Sequence, residues 1–299
     1  MPKPRVALVT GANSFTGRHL VPVLQARGYR VVGLGTPVAG LEETFAGDLR
    51  DAEALRSCVA QVQPTHVVHL AGISFVGHGD VGAFYDVNVI GTLHLLDALQ
   101  ALPTRPQKVL LASSANVYGT PPVEVIDESI CHRPVNHYAC SKLAMEQMAR
   151  NYAGQLPMCI VRPFNYTGVG QNEKFLVPKI VSHFCKQAPY IELGNLDVAR
   201  DFSDVRDVVQ RYARLLEADL PSGEVVNVCS GQGYALRDIL QMAESLTGHH
   251  MEVRVNPAFV RANEVPRLLG SSARLQQYLG PLSQIPLRET LRWMLEDCA

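Results

Sequence analysis

Residues 5–17 read RVALVTGANSFTG. Val6 to Val9 is a short apolar run of the kind that makes a strand buried on both faces. A helix is expected from about Phe15 to Arg27, stopped by Gly28, with Leu20, Val23 and Leu24 on its buried stripe. Pro22 falls inside that helix and predicts a kink or a missing hydrogen bond. Between strand and helix lies TGANSFTG, residues 10–17. Gly11 and Gly17 hold the outer positions of a GxxxxxG frame, and Ser14 stands where the usual GxxGxxG has its middle glycine. Glycines at such a turn let the backbone approach a pyrophosphate, and the helix start offers free N–H groups and the positive end of a dipole. A plain strand-to-helix turn has the same texture, so the motif takes its weight from its surroundings.

Outward from this turn, further apolar runs recur between helical stretches: Arg30 to Leu34, His66 to Leu70, Lys108 to Ala112 and Met158 to Arg162. Such alternation predicts an α/β chain with a Rossmann-type, doubly wound parallel sheet covered by helices on both faces. After Arg162 the texture changes to PFNYTGVGQNEKF, rich in turn formers, which predicts a smaller C-terminal substrate-binding domain. DVRDVVQRYARLLEADL is an amphipathic helix and GEVVNVCSG a strand, so the chain is expected to return to the main sheet before it ends. The expected domains are 1–165 with 202–231 for the dinucleotide, and 166–201 with 232–299 for the substrate.

Composition narrows the function. Of 299 residues 47% are hydrophobic and 18% charged, which is ordinary globular chemistry and not that of a disordered or fibrous chain. A formal net charge of −1, with no dense Lys/Arg block, argues against nucleic acid as a partner. The seven cysteines form an odd set without CxxC spacing, and indicate neither a disulfide framework nor a zinc ribbon. They read as small buried residues in a reducing compartment. The first strand begins by residue 5, leaving no room for a signal peptide, and no apolar stretch has membrane-spanning length, so the expected location is cytoplasmic.

Asp48, in GDLRD, follows a short third strand, and its carboxylate could accept a hydrogen bond from an adenine amino group. At the end of the second strand, where an acid would hold an NAD ribose, the residues are Leu34, Gly35 and Thr36. Without that acid nothing repels a 2′-phosphate, so NADPH is the expected cofactor and NADH a possible one. Leu70, Ala71 and Gly72 end the strand HVVHLAG, where small residues let a cofactor pass. His66 and His69 fall on opposite faces of that strand, which is poor metal geometry, and read as structural.

The chemistry is carried by ASSANVYG (112–119) and YACSK (138–142). On a helix, Tyr138 and Lys142 share a face, so the ammonium is expected near the phenol, favouring the phenolate a proton-exchanging tyrosine needs. Ser114, at a strand end, can hydrogen-bond the oxygen that gains or loses the proton.

With these landmarks, and with NVIGT around Asn88, RPFNYTGVGQ, RDFSDVRDVV and RANEV, the chain resembles the extended short-chain dehydrogenase/reductases that act on nucleotide sugars, over essentially its whole length. RPFNYTGVGQ and GNLDVARDFSDVRDVV look most like enzymes handling GDP-6-deoxy-hexoses. The resemblance implies Ser114, Tyr138 and Lys142 as the catalytic set. It implies Gly11, Ser14, Phe15, Thr16, Gly17, Asp48, Leu49, Leu70, Ala71 and Gly72 as cofactor contacts, joined by Tyr138 and Lys142. Asn165, Lys179, Arg200 and Arg261 match positions holding the nucleoside diphosphate, and planar arginine cations suit a diphosphate. Glu264 either binds a nucleoside hydroxyl or pairs with a neighbouring base.

The activity implied is NAD(P)H-dependent reduction of the C4 ketone of GDP-4-dehydro-6-deoxy-D-mannose, giving GDP-D-rhamnose if the face of attack follows the family. Rival readings are a nucleotide-sugar 4-epimerase, a 4-ketoreductase for another nucleotide sugar, and a non-catalytic NAD(P)-sensing regulator. In related 4,6-dehydratases the position two after the triad serine or threonine is acidic; here it is Asn116, which removes the acid/base needed for elimination. Leu96, Leu99, Met145 and Met148 lie at helical spacing on two segments, and their stripes predict a homodimer through a four-helix bundle, with an all-intramolecular core as the alternative.

Overall fold

The structure is a computed structural model that describes residues 4–259 and 267–298. Its first half alternates strand and helix: β1 (Val6–Thr10), α1 (Phe15–Ala26), β2 (Arg30–Leu34), β3 (Thr44–Phe45), α2 (Ala52–Val62), β4 (His66–His69), α3 (Val81–Tyr85), a π-helical turn (Asp86–Ile90), α4 (Gly91–Gln100), β5 (Lys108–Ala112), α5 (His137–Ala149) and β6 (Met158–Pro163). The second half is more broken: β7 (Asn165–Thr167), α6 (Leu176–Cys185), β8 (Tyr190–Leu193), β9 (Ala199–Asp204), α7 (Val205–Glu217), β10 (Glu224–Val228), β11 (Gly233–Ala235), α8 (Leu236–Thr247), β12 (Glu252–Val255), β13 (Arg267–Leu268), α9 (Ala273–Leu279) and α10 (Leu287–Glu296).

Seven strands form one parallel sheet in the order β10-β6-β5-β4-β1-β2-β3. β1, β2, β4, β5 and β6 are largely apolar and buried because both faces are covered. On one face α1, α7 and α9 bury Leu20, Leu24, Val208, Tyr212 and Leu275; on the other, α2, α4 and α5 bury Leu55, Val59, Leu95 and Met145. Strand order reverses between β1 and β4, and in such sheets the crevice beyond the strand ends at that point is where ligands sit. The glycine turn after β1 opens into it. Pro22 lies on the exposed side of α1, where its missing N–H costs one helical bond without breaking the core face.

Beyond β6, β7 and β9 pair in parallel, β9 also takes β11 and β13, and β8 pairs with β12. A separate apolar cluster under α6, α8 and α10 supports this layer. As expected, β10 returns to the main sheet, beside β6.

Two expectations are corrected. Leu96, Leu99 and Met145 are fully buried within this chain, and Met148 packs against the same cluster, so the stripes read as an intersubunit seam are intramolecular core. Helices on a doubly covered sheet need apolar residues around much of their circumference, which a stripe argument reads as surplus. The cysteines are also not all isolated: Cys185 at the end of α6 and Cys298 beyond α10 form a disulfide with Cα atoms 6.0 Å apart, and Cys131 is exposed. No helix among the described residues is long and apolar enough to cross a membrane.

Candidate active site

The glycine turn is built by close packing. Gly11 adopts φ +70°, and a Cβ there would lie 2.8 Å from the Ala71 nitrogen; at Gly17 a Cβ would lie 2.4 Å from the Gly11 carbonyl oxygen. Ser14, in place of a glycine, is the N-cap of α1, its hydroxyl accepting from the Gly17 N–H at 3.1 Å. A cleft of about 340 Å³ opens between this turn and the ends of β2 and β4, lined by Gly11, Ser14, Leu34, Thr36, Leu49 and Ala71 among others. Small residues, backbone N–H groups and three leucine side chains fit a dinucleotide with a flat base. No carboxylate stands among the cleft-lining residues at the end of β2. Asp48, between lining residues Gly47 and Leu49, is engaged by Arg50 at 2.5 Å, which holds its carboxyl down at about 2.

Tyr138 and Lys142 stand one turn apart on α5, which Asn136 caps by accepting from Ala139 N–H at 2.9 Å. Ser114 follows β5 and caps a 3-10 turn over Ala115–Tyr118. The three expected catalytic residues are all buried and converge beyond the end of β5. The electrostatics differ from expectation. Burial pushes the Tyr138 phenol up to about 12, against a lowering hydrogen bond with Ser114. Lys142 donates to the Ala112 carbonyl at 2.8 Å, and burial brings it down to about 8, opposed by Glu146. Desolvation therefore outweighs the expected help to the phenolate, and burial favours the protonated phenol in the protein alone. Asn116 donates from its side-chain amide to the Ser114 hydroxyl at 3.0 Å.

Two supports of this centre had no assigned role in the sequence. Asn88, in the π-helical turn, accepts from Ile73 N–H at 2.8 Å and donates to Ser141 Oγ at 3.0 Å, joining the end of the cofactor strand to the residue before Lys142. A Cβ on Gly72 would fall 2.8 Å from Asn88 Oδ1 and 3.4 Å from Lys142 Nζ, so a side chain at position 72 would crowd both. Glu146, fully buried one turn beyond Lys142, pairs with buried Arg162 at 2.6 and 2.9 Å and accepts from Ser113 at 2.5 Å. The four-residue spacing from Lys142 was the available signal for Glu146; nothing local pointed to Arg162.

The expected substrate residues are spread over the second layer. Asn165 begins β7 and donates to the Asp201 carbonyl at 3.3 Å; Arg200 lies on β9 and donates to the Ala199 carbonyl at 3.0 Å. Lys179 on α6 donates to the Glu192 carbonyl at 2.7 Å, with its ammonium 4.6 Å from the Phe259 ring centre. Arg261 and Glu264 lie outside the described residues. Asp201, which the sequence left unassigned, is fully buried and accepts from Ser230 and Gly231 N–H groups, both at 2.8 Å, so one carboxylate ties β9 to the loop after β10. Burial raises its carboxyl against those hydrogen bonds.

Comparison with known proteins adds the family and its relatives. The family described as GDP-mannose 4,6 dehydratase matches residues 8–294. The chain is 39% identical to GDP-6-deoxy-D-talose 4-dehydrogenase of Aggregatibacter actinomycetemcomitans, over 91% of this chain and 90% of that one. It is 34% identical to GDP-6-deoxy-D-mannose reductase of Pseudomonas aeruginosa, over 97% and 95% of the two chains. The structure of RMD from Pseudomonas aeruginosa complexed with NADPH superposes with a TM-score of 0.85 at 32% identity, covering 98% of this chain and 97% of that one.

Proposed function

The chain belongs to the GDP-mannose 4,6-dehydratase family of extended short-chain dehydrogenase/reductases, NAD(P)-dependent enzymes of nucleotide sugars, and on that premise we propose that it is a 4-ketoreductase converting GDP-4-dehydro-6-deoxy-D-mannose to GDP-D-rhamnose with NADPH. The observation that carries this reading is Asn116 beside Ser114, its side-chain amide donating to the serine hydroxyl at 3.0 Å. The phenol is a proton donor, and the amide beside Ser114 has no proton-accepting form near neutral pH, which suits ketone reduction and leaves elimination without its acid/base.

The cleft lined by Gly11, Ser14, Leu34, Leu49 and Ala71 would hold NADPH, which would supply the hydride for C4 of the sugar. Tyr138 gives its proton to O4 as charge develops there, and Ser114 hydrogen-bonds the same oxygen. Lys142, an ammonium below about pH 8, holds positive charge beside the tyrosine's helix turn and Gly72, where it favours the phenolate once the proton has left. Arg200 and Arg261 hold the diphosphate, with Lys179 and Asn165 completing that side. The cleft's lack of an acid at Leu34, Gly35 and Thr36 supports NADPH over NADH, which remains usable. A homodimer belongs to the same reading, supported by exposed Val81 and Ile90 beside α4; a monomeric mass by light scattering removes it.

A second reading differs only in the face of reduction. The 39% identical relative is named for 6-deoxy-D-talose, the C4 epimer of 6-deoxy-D-mannose, so GDP-6-deoxy-D-talose is the competing product. One experiment tests both: the purified protein is incubated with GDP-mannose and NADP⁺, and separately with the 4-keto-6-deoxy sugar and NADPH. The expected result is no change in the first and NADPH consumption in the second, with proton NMR of the product reporting the configuration at C4. A product lighter by one water in the first tube refutes the reductase reading. Dinucleotide that stays bound through gel filtration supports an epimerase instead.

A further inference from the structure

The proposed reaction gives no task to Tyr166. It is the central residue of β7, directly after Asn165, and its hydroxyl lies 2.7 Å from Thr16 Oγ1 while its ring stacks on Phe15, centroids 5.9 Å apart and planes 14° from parallel. Thr16 and Phe15 form the first turn of α1, immediately after the N-cap of the cofactor turn. The contact continues along the helix: His19 meets the Val169 carbonyl at 2.9 Å, and its ring sits edge-on to Phe15 at 5.3 Å and to Trp293 of α10 at 5.8 Å. The cofactor turn and the second layer are thus stitched together by side chains, and Tyr166, directly after Asn165, is the stitch that reaches the first turn of α1.

Packing alone would be served by phenylalanine. Tyr166 is half-buried with its hydroxyl turned to Thr16, and that pair offsets the cost of holding a phenol away from water. That makes the hydroxyl pair a specific tie between two segments with different ligands. The N–H groups at the start of α1 are where a dinucleotide phosphate orders the chain, and β7 begins at the residue expected to meet the sugar nucleotide. We propose that Tyr166 is a positioning residue: through Thr16 and Phe15 it aligns the strand beginning at Asn165 with the cofactor turn, so that dinucleotide binding orders the sugar side of the site. The proposal rests on the reading above only for the role of Asn165.

Hydrogen–deuterium exchange with NADP⁺ tests the tie without any sugar. In the unmodified protein, NADP⁺ should slow exchange in residues 11–17 and also in 165–171. In Tyr166→Phe the first protection should remain and the second should shrink by about three- to tenfold, the range for one net hydrogen bond. Thr16→Val should shrink the protection of 165–171 to the same extent at saturating NADP⁺, and on that segment the double variant should be no worse than either single one, because both remove one interaction. With the keto sugar, kcat should fall in Tyr166→Phe while the KM for NADPH changes less than about twofold. Residues 165–171 left unprotected by NADP⁺ in the unmodified protein, or equally protected in Tyr166→Phe, would overturn the proposal. So would a Tyr166→Phe chain that fails to fold, which would make the hydroxyl structural. If the exchange pattern holds but the unmodified protein does not reduce the keto sugar, the substrate reading fails and the tie stands.

Discussion

Glu146→Gln isolates the buried charge behind the catalytic lysine. Glu146 is fully buried, and Arg162 is 1% exposed with its remaining bond to Tyr118 Oη at 2.9 Å. Gln keeps the shape and an acceptor for Ser113 but leaves the guanidinium without its counter-charge, a loss of about 3–5 kcal/mol for a broken buried pair. For 299 residues the unfolding entropy is roughly 0.6 kcal/mol/K, so Tm should drop by about 5–8 °C in scanning calorimetry. Since a buried pair carries its own desolvation cost, Glu146→Leu with Arg162→Met should recover most of that loss. The kinetic effect should separate from the stability effect. Glu146 opposes the burial that lowers Lys142, so its neutralisation should lower Lys142 below about 8 and move the alkaline fall of kcat to lower pH. A double variant as damaged as the sum of both singles would refute the pairing argument, and an unmoved alkaline limb would refute the link to Lys142.

Tyr138→Phe should cut turnover by on the order of a hundredfold or more while NADPH binding, followed by fluorescence, is retained. Unmodified enzyme should reduce substrate at a steady rate from pH 6 to about 8 and decline above it as the Lys142 ammonium is lost; a profile flat to pH 10 would deny that charge a role. Gly72→Ala should weaken NADPH binding and lower kcat together by more than about tenfold, since its Cβ meets Asn88 Oδ1 at 2.8 Å; near-native kinetics would show that Asn88 can yield. His69, buried between Thr10 and Thr92, has its imidazole brought down from 6.5 to about 3 by burial. The unfolded chain therefore takes up the proton first, so its contribution is whole above pH 6.5 and lost as pH falls towards 3, on the order of 5 kcal/mol in all. Urea titrations at pH 7 and pH 4 should show His69→Gln losing less stability than the unmodified protein.

The main sheet was legible because β1, β2, β4, β5 and β6 are buried on both faces and so appear as largely apolar runs between helices. Ser114, Tyr138 and Lys142 were legible because helical spacing and a strand end bring them together by local geometry. What escaped depends on partners distant in sequence. Cys185 and Cys298 are 113 residues apart, and no spacing rule pairs them. Glu146 and Arg162 look like surface charges until α5 lies on β6. Leu96 and Met145 belong to helices enclosed on more than one side, where periodicity shows apolar residues without saying what covers them. The upward push of burial on the Tyr138 phenol was not legible, because adjacency to a lysine is visible in a sequence and desolvation is not.

The return of β10 to the edge of the first sheet has a consequence for how the molecule is made. The strand ends at residue 228 of 299, after β7, β8 and β9 have already been laid down elsewhere. During synthesis β6 therefore emerges with its outer edge unpaired, and some sixty residues, the strands of the second layer followed by α7, leave the ribosome before β10 arrives to cover it. The nucleotide layer cannot be finished as an N-terminal unit, and a ribosome stalled between residues 163 and 224 would hold a nascent chain with a bare, apolar strand edge. Truncations designed to isolate a cofactor-binding fragment should aggregate unless β10 is carried along together with a crossover such as α7, because β10 runs parallel to β6 and cannot follow it directly.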